Sequence, residues 1–169
     1  MDTTRLVVNA ETVYSGEGLS QNYTGRGVDV GVQDIGFDLT HPNFYSTDMS
    51  RYRIKAMWDQ LSRDTIGSAL YVGRDYVGED ALLQLGHPVD GETQTHGTHT
   101  AGIAAGSGAE GNGVLSPYQG MACDADLVLV DNAADNVSLI DPKDYYKYTY
   151  ATDALGFKYI FDYAKRMNQ

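Results

Sequence analysis

The six residues Ala125-Asp-Leu-Val-Leu-Val130 restrict the fold of this chain more than any other stretch. A strand with one wet face alternates apolar and polar residues. This run does not alternate, which suits a strand buried on both faces, and such strands belong to parallel sheets covered by helices on each side. Gly27–Val32 alternates valine with small or acidic residues and predicts a short strand. Arg53–Trp58 predicts a second strand and 71–78 a further short one. Helical patterns occupy Thr95–Gly106, where Ala101, Ala104 and Ala105 follow a threonine suited to an N-cap, and Asp144–Met167. In the latter, Leu155, Tyr159, Ile160 and Tyr163 recur every three or four residues. Strands alternating with helices predict an α/β, doubly wound, mostly parallel sheet with helices on both faces. Residues 1–24 read as an irregular N-terminal arm and 79–94 as loop. Only about three strands stand out, fewer than most sheets contain, so 25–169 reads as part of a domain.

Composition narrows the partners. The net charge of −11 and a pI near 4.5 oppose binding to nucleic acid or to an anionic membrane surface. No run of 18 apolar residues is present to span a bilayer, and the N-terminus lacks the basic start and apolar core of a signal peptide. A single cysteine, Cys123, excludes an internal disulfide.

Chemistry concentrates in two places. In Thr95-His-Gly-Thr-His-Thr-Ala-Gly102 two histidines sit three residues apart among small residues. Zinc-binding helices instead place their histidines four apart with a glutamate between them, and no glutamate is here. A metal-dependent hydrolase using His96, His99 and nearby carboxylates is therefore a rival reading only. His99 suits a structural histidine packed beneath the site. Ala101, Gly102, Ala105 and Gly106 let a helix lie close to a sheet, which sets His96 on rigid support at a helix start. The second place is Gln33-Asp-Ile-Gly-Phe-Asp-Leu-Thr-His-Pro-Asn-Phe44, directly after the Val28–Val32 strand. Asp34 falls at the strand's C-terminal end, where ligands and catalytic groups gather in open α/β sheets. Gly36 turns the chain away, and Asp38 and His41-Pro42 read as turn and loop.

These two stretches resemble the subtilisin-like serine proteases, or subtilases. Their aspartate motif, D-[ST]-G-x-D-x-x-H-P-x-[LF], is similar to Asp34–Phe44, and their histidine motif, H-G-T-H-x-A-G, to His96–Gly102. Gly120–Val130 resembles the family's lead-in to a central strand, and the likeness runs from about Gly25 to Ala164. The resemblance implies peptide-bond hydrolysis through an acyl-enzyme. His96 would be the general base and Asp34 the carboxylate that orients it, as in the Ser-His-Asp template.

The family's serine motif, G-T-S-x-[AS]-x-P, has no counterpart in these 169 residues. Ser107 is its nearest imitation, and it reads as part of a flexible loop. The expectation is an N-terminal portion of a protease domain, inactive alone and completed by a C-terminal part, with a non-catalytic half domain used for binding or assembly as the alternative. Ile35 replaces a hydroxyl residue that would support Asp34. Asn43 replaces an aspartate, which lowers the affinity of any structural calcium ion wrapped by Gly106–Gly113. No other cofactor is expected. Cys123 takes a proline position and reads as a small buried residue. Tyr145, Tyr146, Tyr148 and Tyr150 either line a substrate pocket or pack, and packing is the preferred reading. The resemblance implies a peptide or protein substrate, and a protein secreted or held in the cell envelope. With later strands absent, Leu127–Val130 is expected to lie at an open sheet edge, favouring self-association or pairing with the C-terminal part.

Overall fold

The computed structural model describes residues 2–110, 113–133 and 137–167. Four strands form one sheet: β1 (Asp29–Asp34), β2 (Ile54–Asp59), β3 (Arg74–Val77) and β4 (Asp126–Asp131). Their order is β1-β4-β2-β3, with β3 antiparallel to β2 and the other pairs parallel. The non-alternating run is thus the middle strand. Leu127, Val128, Leu129 and Val130 are all buried, the odd-numbered side chains facing one layer and the even-numbered the other.

Helices cover both faces. Leu82 of α3 (Glu79–Leu85) and Ala101 and Ala105 of α4 (His96–Ala105) pack on the layer that holds Leu127 and Leu129. Tyr159 and Tyr163 of α5 (Tyr150–Met167) pack against Val128, Val130 and Trp58 on the other. Helix and strand interlock through glycines. A Cβ on Gly31 would meet Ile160 Cγ2 at 2.3 Å, and one on Gly156 would meet Gln33 Oε1 at 2.2 Å. α5 therefore sits over β1 and β4 at a distance only glycine permits.

Three expectations change. Residues 1–24 are not wholly irregular, since α1 (Asp2–Val7) and α2 (Ala10–Ser15) form within them, and Tyr14 Oη donates to the Gly120 and Met121 carbonyls. Residues 79–94 contain α3, whose Leu82 is wholly buried; the glycines at its two ends made the segment look like loop. The open edge is not β4, which has β1 and β2 as neighbours; among the described residues the strand with one free parallel edge is β1. The error came from reading sequence order as sheet order. β4 inserts between the two earlier strands.

An unexpected residue ties these layers together. Arg53 is completely buried and donates to four main-chain carbonyls: Tyr45 (3.0 Å), Ala125 (2.6 Å), Asn43 (2.8 Å) and Ala105 (2.7 Å). Burial, then the neighbouring Arg51, draw its pKa down to about 10, which leaves it charged at neutral pH. The last carbonyl of α4 is among its acceptors, and a helix C-terminus favours a cation.

Candidate active site

Asp34 is the last residue of β1 and His96 the first of α4. The turn between them in space is built from main-chain bonds. Gly97 N donates to Ile35 O at 2.6 Å and Thr98 N to Gly36 O at 3.0 Å, so the first turn of α4 hangs from the residues that follow β1. Gly36 adopts φ +70°, and a Cβ there would meet the Gln94 carbonyl at 2.3 Å. Gly97 lies so close to the Phe37 ring that a Cβ would come within 2.7 Å of it. Both glycines are needed for the approach of helix to turn.

That approach brings His96 Nδ1 to 2.7 Å from Asp34 Oδ1. The Asp34 side chain is 15% exposed and the His96 ring 66%, so the carboxylate is sheltered while the ring faces solvent. Burial pushes the Asp34 carboxyl up, but the Ile35 N–H (2.8 Å) and the contact with His96 outweigh it, and the net shift is downward. Asp34 is therefore ionised and aimed at the imidazole at neutral pH. With no hydroxyl at position 35, side-chain support for the Asp34 carboxylate comes from Thr100, whose Oγ1 also stands 3.5 Å from His96 Nδ1. Sequence reasoning missed Thr100, although its position one turn after His96 in a helix was legible.

The other singled-out residues separate from this pair. His99 is exposed rather than packed beneath the site, because Gly97, Ala101 and Ala105 form the buried face of α4 and position 99 points away from it. Among the described residues no three His, Cys, Asp or Glu side chains are arranged to hold a metal ion, and His99 does not join His96 and its Asp34 carboxylate in such a group. Ser107 is wholly buried, its Oγ donating to Asn43 O and accepting from Ala109 N, which corrects the picture of a flexible loop. Asn43 ties this loop itself: Oδ1 accepts from Gly108 N at 2.6 Å and its carbonyl from Ser107 N at 3.0 Å. Gly111 and Asn112 of the expected calcium loop lie outside the described residues. Cys123 is buried as expected, and burial pushes its thiol up. Of the tyrosines, Tyr148 packs and donates to Gln60 O, whereas Tyr145, Tyr146 and Tyr150 are exposed.

Comparison with known proteins agrees with this fold. A solved structure, the CspB protease of Clostridium perfringens, superposes with a TM-score of 0.61 at 24% identity, covering 95% of this chain and 31% of that one. Subtilisin-like protease SBT2.1 of Arabidopsis thaliana is 33% identical over 100 residues, 50% of this chain and 12% of its own length. Subtilisin of Bacillus sp. (strain TA39) is 28% identical over 117 residues, 69% of this chain and 21% of its own. The chain thus spans a small part of the relatives it matches. The model of the subtilase family matches residues 25–153, a stretch that contains β1, α4 and β4 and most of the chain, and the chain belongs to that family.

Proposed function

We propose that this chain supplies the general base and the orienting carboxylate of a subtilisin-like serine endopeptidase. The observation that carries the reading is the 2.7 Å contact between Asp34 Oδ1 and His96 Nδ1, with the remainder of the ring exposed. A carboxylate on Nδ1 fixes the tautomer with its lone pair on Nε2. Nε2 then takes the hydroxyl proton of a serine as that oxygen attacks a peptide carbonyl. Asp34 stabilises the resulting imidazolium, which returns the proton to the leaving amine. Water repeats the cycle on the acyl-enzyme.

The serine and the oxyanion donors belong to sequence outside these 169 residues. Topology supports where they attach. α5 packs on β1 and β4, and a right-handed crossover from β4 over that face leads to the free edge of β1. Elements added there would end beside Asp34, at the same rim of the sheet. The substrate is a peptide or protein, met in a secreted or cell-envelope setting.

The test has two arms. This chain alone should not react with a fluorophosphonate probe; labelling of any of its serines above a denatured control would sink the idea that the nucleophile lies elsewhere. In a longer protein carrying the family's serine motif, His96→Ala should lower kcat/KM by roughly 10²–10⁴. Unchanged hydrolysis would remove His96 from the mechanism.

A further inference from the structure

Asp34 is one of three aspartates in a row. β1, β4 and β2 each end in Asp, and the three pair in register, Asp34 beside Asp131 and Asp131 beside Asp59. They share the face that carries α4, because Val32, Leu129 and Met57, two residues earlier on each strand, belong to one core layer. Asp34 turns to His96. Asp131 and Asp59 are sealed with 0% and 1% exposure, and Asp90, from the stretch before α4, joins them at 1%.

The bonds within this group are unequal. Asp59 accepts from Leu61 N at 2.9 Å and Val89 N at 3.1 Å. Asp131 Oδ1 accepts from Gly36 N at 3.1 Å. Its Oδ2 is buried with no donor among the described residues, and the Asp90 carboxyl lies within hydrogen-bonding reach. Two ionised carboxylates facing each other away from water repel strongly, so the stable state holds a proton between them. Burial first, then the charges of Asp59 and Asp90, drive the Asp131 carboxyl far above the usual range, and burial raises Asp59 to about 6.

Among the described residues, the charges that bear most on Asp131 are carboxylates, Asp59 and Asp90, and not cations. β2 presents Asp59. β3 presents Tyr76, whose Oη meets Ser62, while Arg74 is paired with Asp64. Glu79 and Asp80 of α3 are exposed, His96 of α4 is engaged by Asp34, and His99 is exposed. Tyr148, near the start of α5, bears on Asp59.

Gly36 is the middle of the turn from which α4 hangs, so whatever fixes its amide fixes the Asp34–His96 distance. We propose that Asp131 is a positioning residue for that pair: its carboxyl group, sharing one proton with Asp90, pins the Gly36 turn, and the pair falls out of register when the proton leaves. The positioning itself is independent of the protease reading, while its consequence for catalysis rests on it.

The linkage has a definite sign. The native state keeps a proton that the unfolded chain gives up above about pH 4. Stability is therefore eroded as pH climbs from there toward the raised native value.

Asp131→Asn separates charge from shape. The amide keeps an acceptor for Gly36, donates toward Asp90 and cannot ionise. In the full chain, NMR of the His96 imidazole should show the strongly deshielded Nδ1 proton of a carboxylate contact. In the wild type that signal and the melting temperature should fall together on the alkaline side. In Asp131→Asn both should persist to a pH at least about one unit higher. Coincident alkaline limbs in the two proteins would overturn the proposal. If the variant fails to fold, carboxyl ¹³C titration of the wild type decides: Asp131 should stay protonated through neutral pH, and an ordinary aspartate titration would overturn it. None of these readouts depends on hydrolysis. A longer protein that ignores His96→Ala would sink the protease reading and leave the Asp131 result standing.

Discussion

At the scale of single residues, the most consequential side chain is one whose role left no trace in the sequence. Arg53 sits in Arg-Tyr-Arg-Ile-Lys, a stretch that reads as the charged start of a strand. Two of its four carbonyl partners, Ala105 and Ala125, come from segments distant in the chain and two, Asn43 and Tyr45, from the segment just before β2, and nothing local announces them. Leaving a buried carbonyl without its donor typically costs about 1–3 kcal/mol. Arg53→Met should lose stability on that order by urea unfolding, and Arg53→Lys should recover little of it, because an ammonium has three donors and no planar fork. A loss below about 1 kcal/mol would show that water reaches the four carbonyls. Tyr159 gives the opposite expectation. Its Oη is buried without a hydrogen-bond partner among the described residues and its phenol is pushed up by burial, so the hydroxyl adds desolvation and no bond among them. Tyr159→Phe should leave stability unchanged or raise it by up to about 1 kcal/mol. A clear destabilisation in the same urea titration would reveal a bonded partner. By contrast, Asp34 and His96 were legible as candidates because each stands in a motif at the end of an element. Their contact was an expectation that the 2.7 Å geometry now meets.

At the scale of elements, legibility followed burial pattern. β4 and α4 were recognisable since an unbroken apolar run and a stripe of small residues each have one stable environment. α3 was not. Glu79-Asp-Ala-Leu-Leu-Gln-Leu85 is seven residues between two glycines, too short for periodicity to declare itself, and only the tertiary burial of Leu82 explains why it forms. The placement of α4 depends on the small residues at its start more than on helix propensity. Gly97 costs helix stability relative to alanine, about 1 kcal/mol in an exposed interior. Here it is required, since a methyl group would press into Phe37 and the Ile35 carbonyl at 2.7 and 3.0 Å. Gly97→Ala should therefore lift the helix start off the turn despite its better propensity. The expected outcome is a lower melting temperature together with loss of the deshielded His96 Nδ1 proton. A stabilised protein with that signal intact would mean Phe37 can rotate away, and that propensity decides the effect.

At the scale of the whole molecule, sheet order is the property sequence order concealed, and it decides which surface is left uncovered. The free parallel edge belongs to β1 and lies alongside α5. α5 carries a second stripe on its outer side: Tyr150, Phe157 and Phe161, exposed at 93%, 58% and 74%, spaced seven and four residues apart and so on one helical face. The unpaired edge and these aromatics are each surfaces of the kind that associates with a further strand or with another copy. The net charge of −11 opposes meeting a second copy. Like-charge repulsion acts over about 30 Å at 0.01 M salt and about 8 Å at physiological ionic strength, whereas apolar contact does not weaken with added salt. The isolated chain should consequently be mostly monomeric in dilute buffer and show a rising average mass as sodium chloride approaches about 0.5 M, where screening is nearly complete. Phe157→Lys with Phe161→Lys should abolish that rise, even though the double change lowers the magnitude of the net charge and by electrostatics alone would promote association. Light scattering behind size exclusion reads both effects. A mass that stays monomeric at every salt would show that the β1 edge and the α5 stripe do not meet copies of themselves, and a double variant that still associates would move the contact to another face.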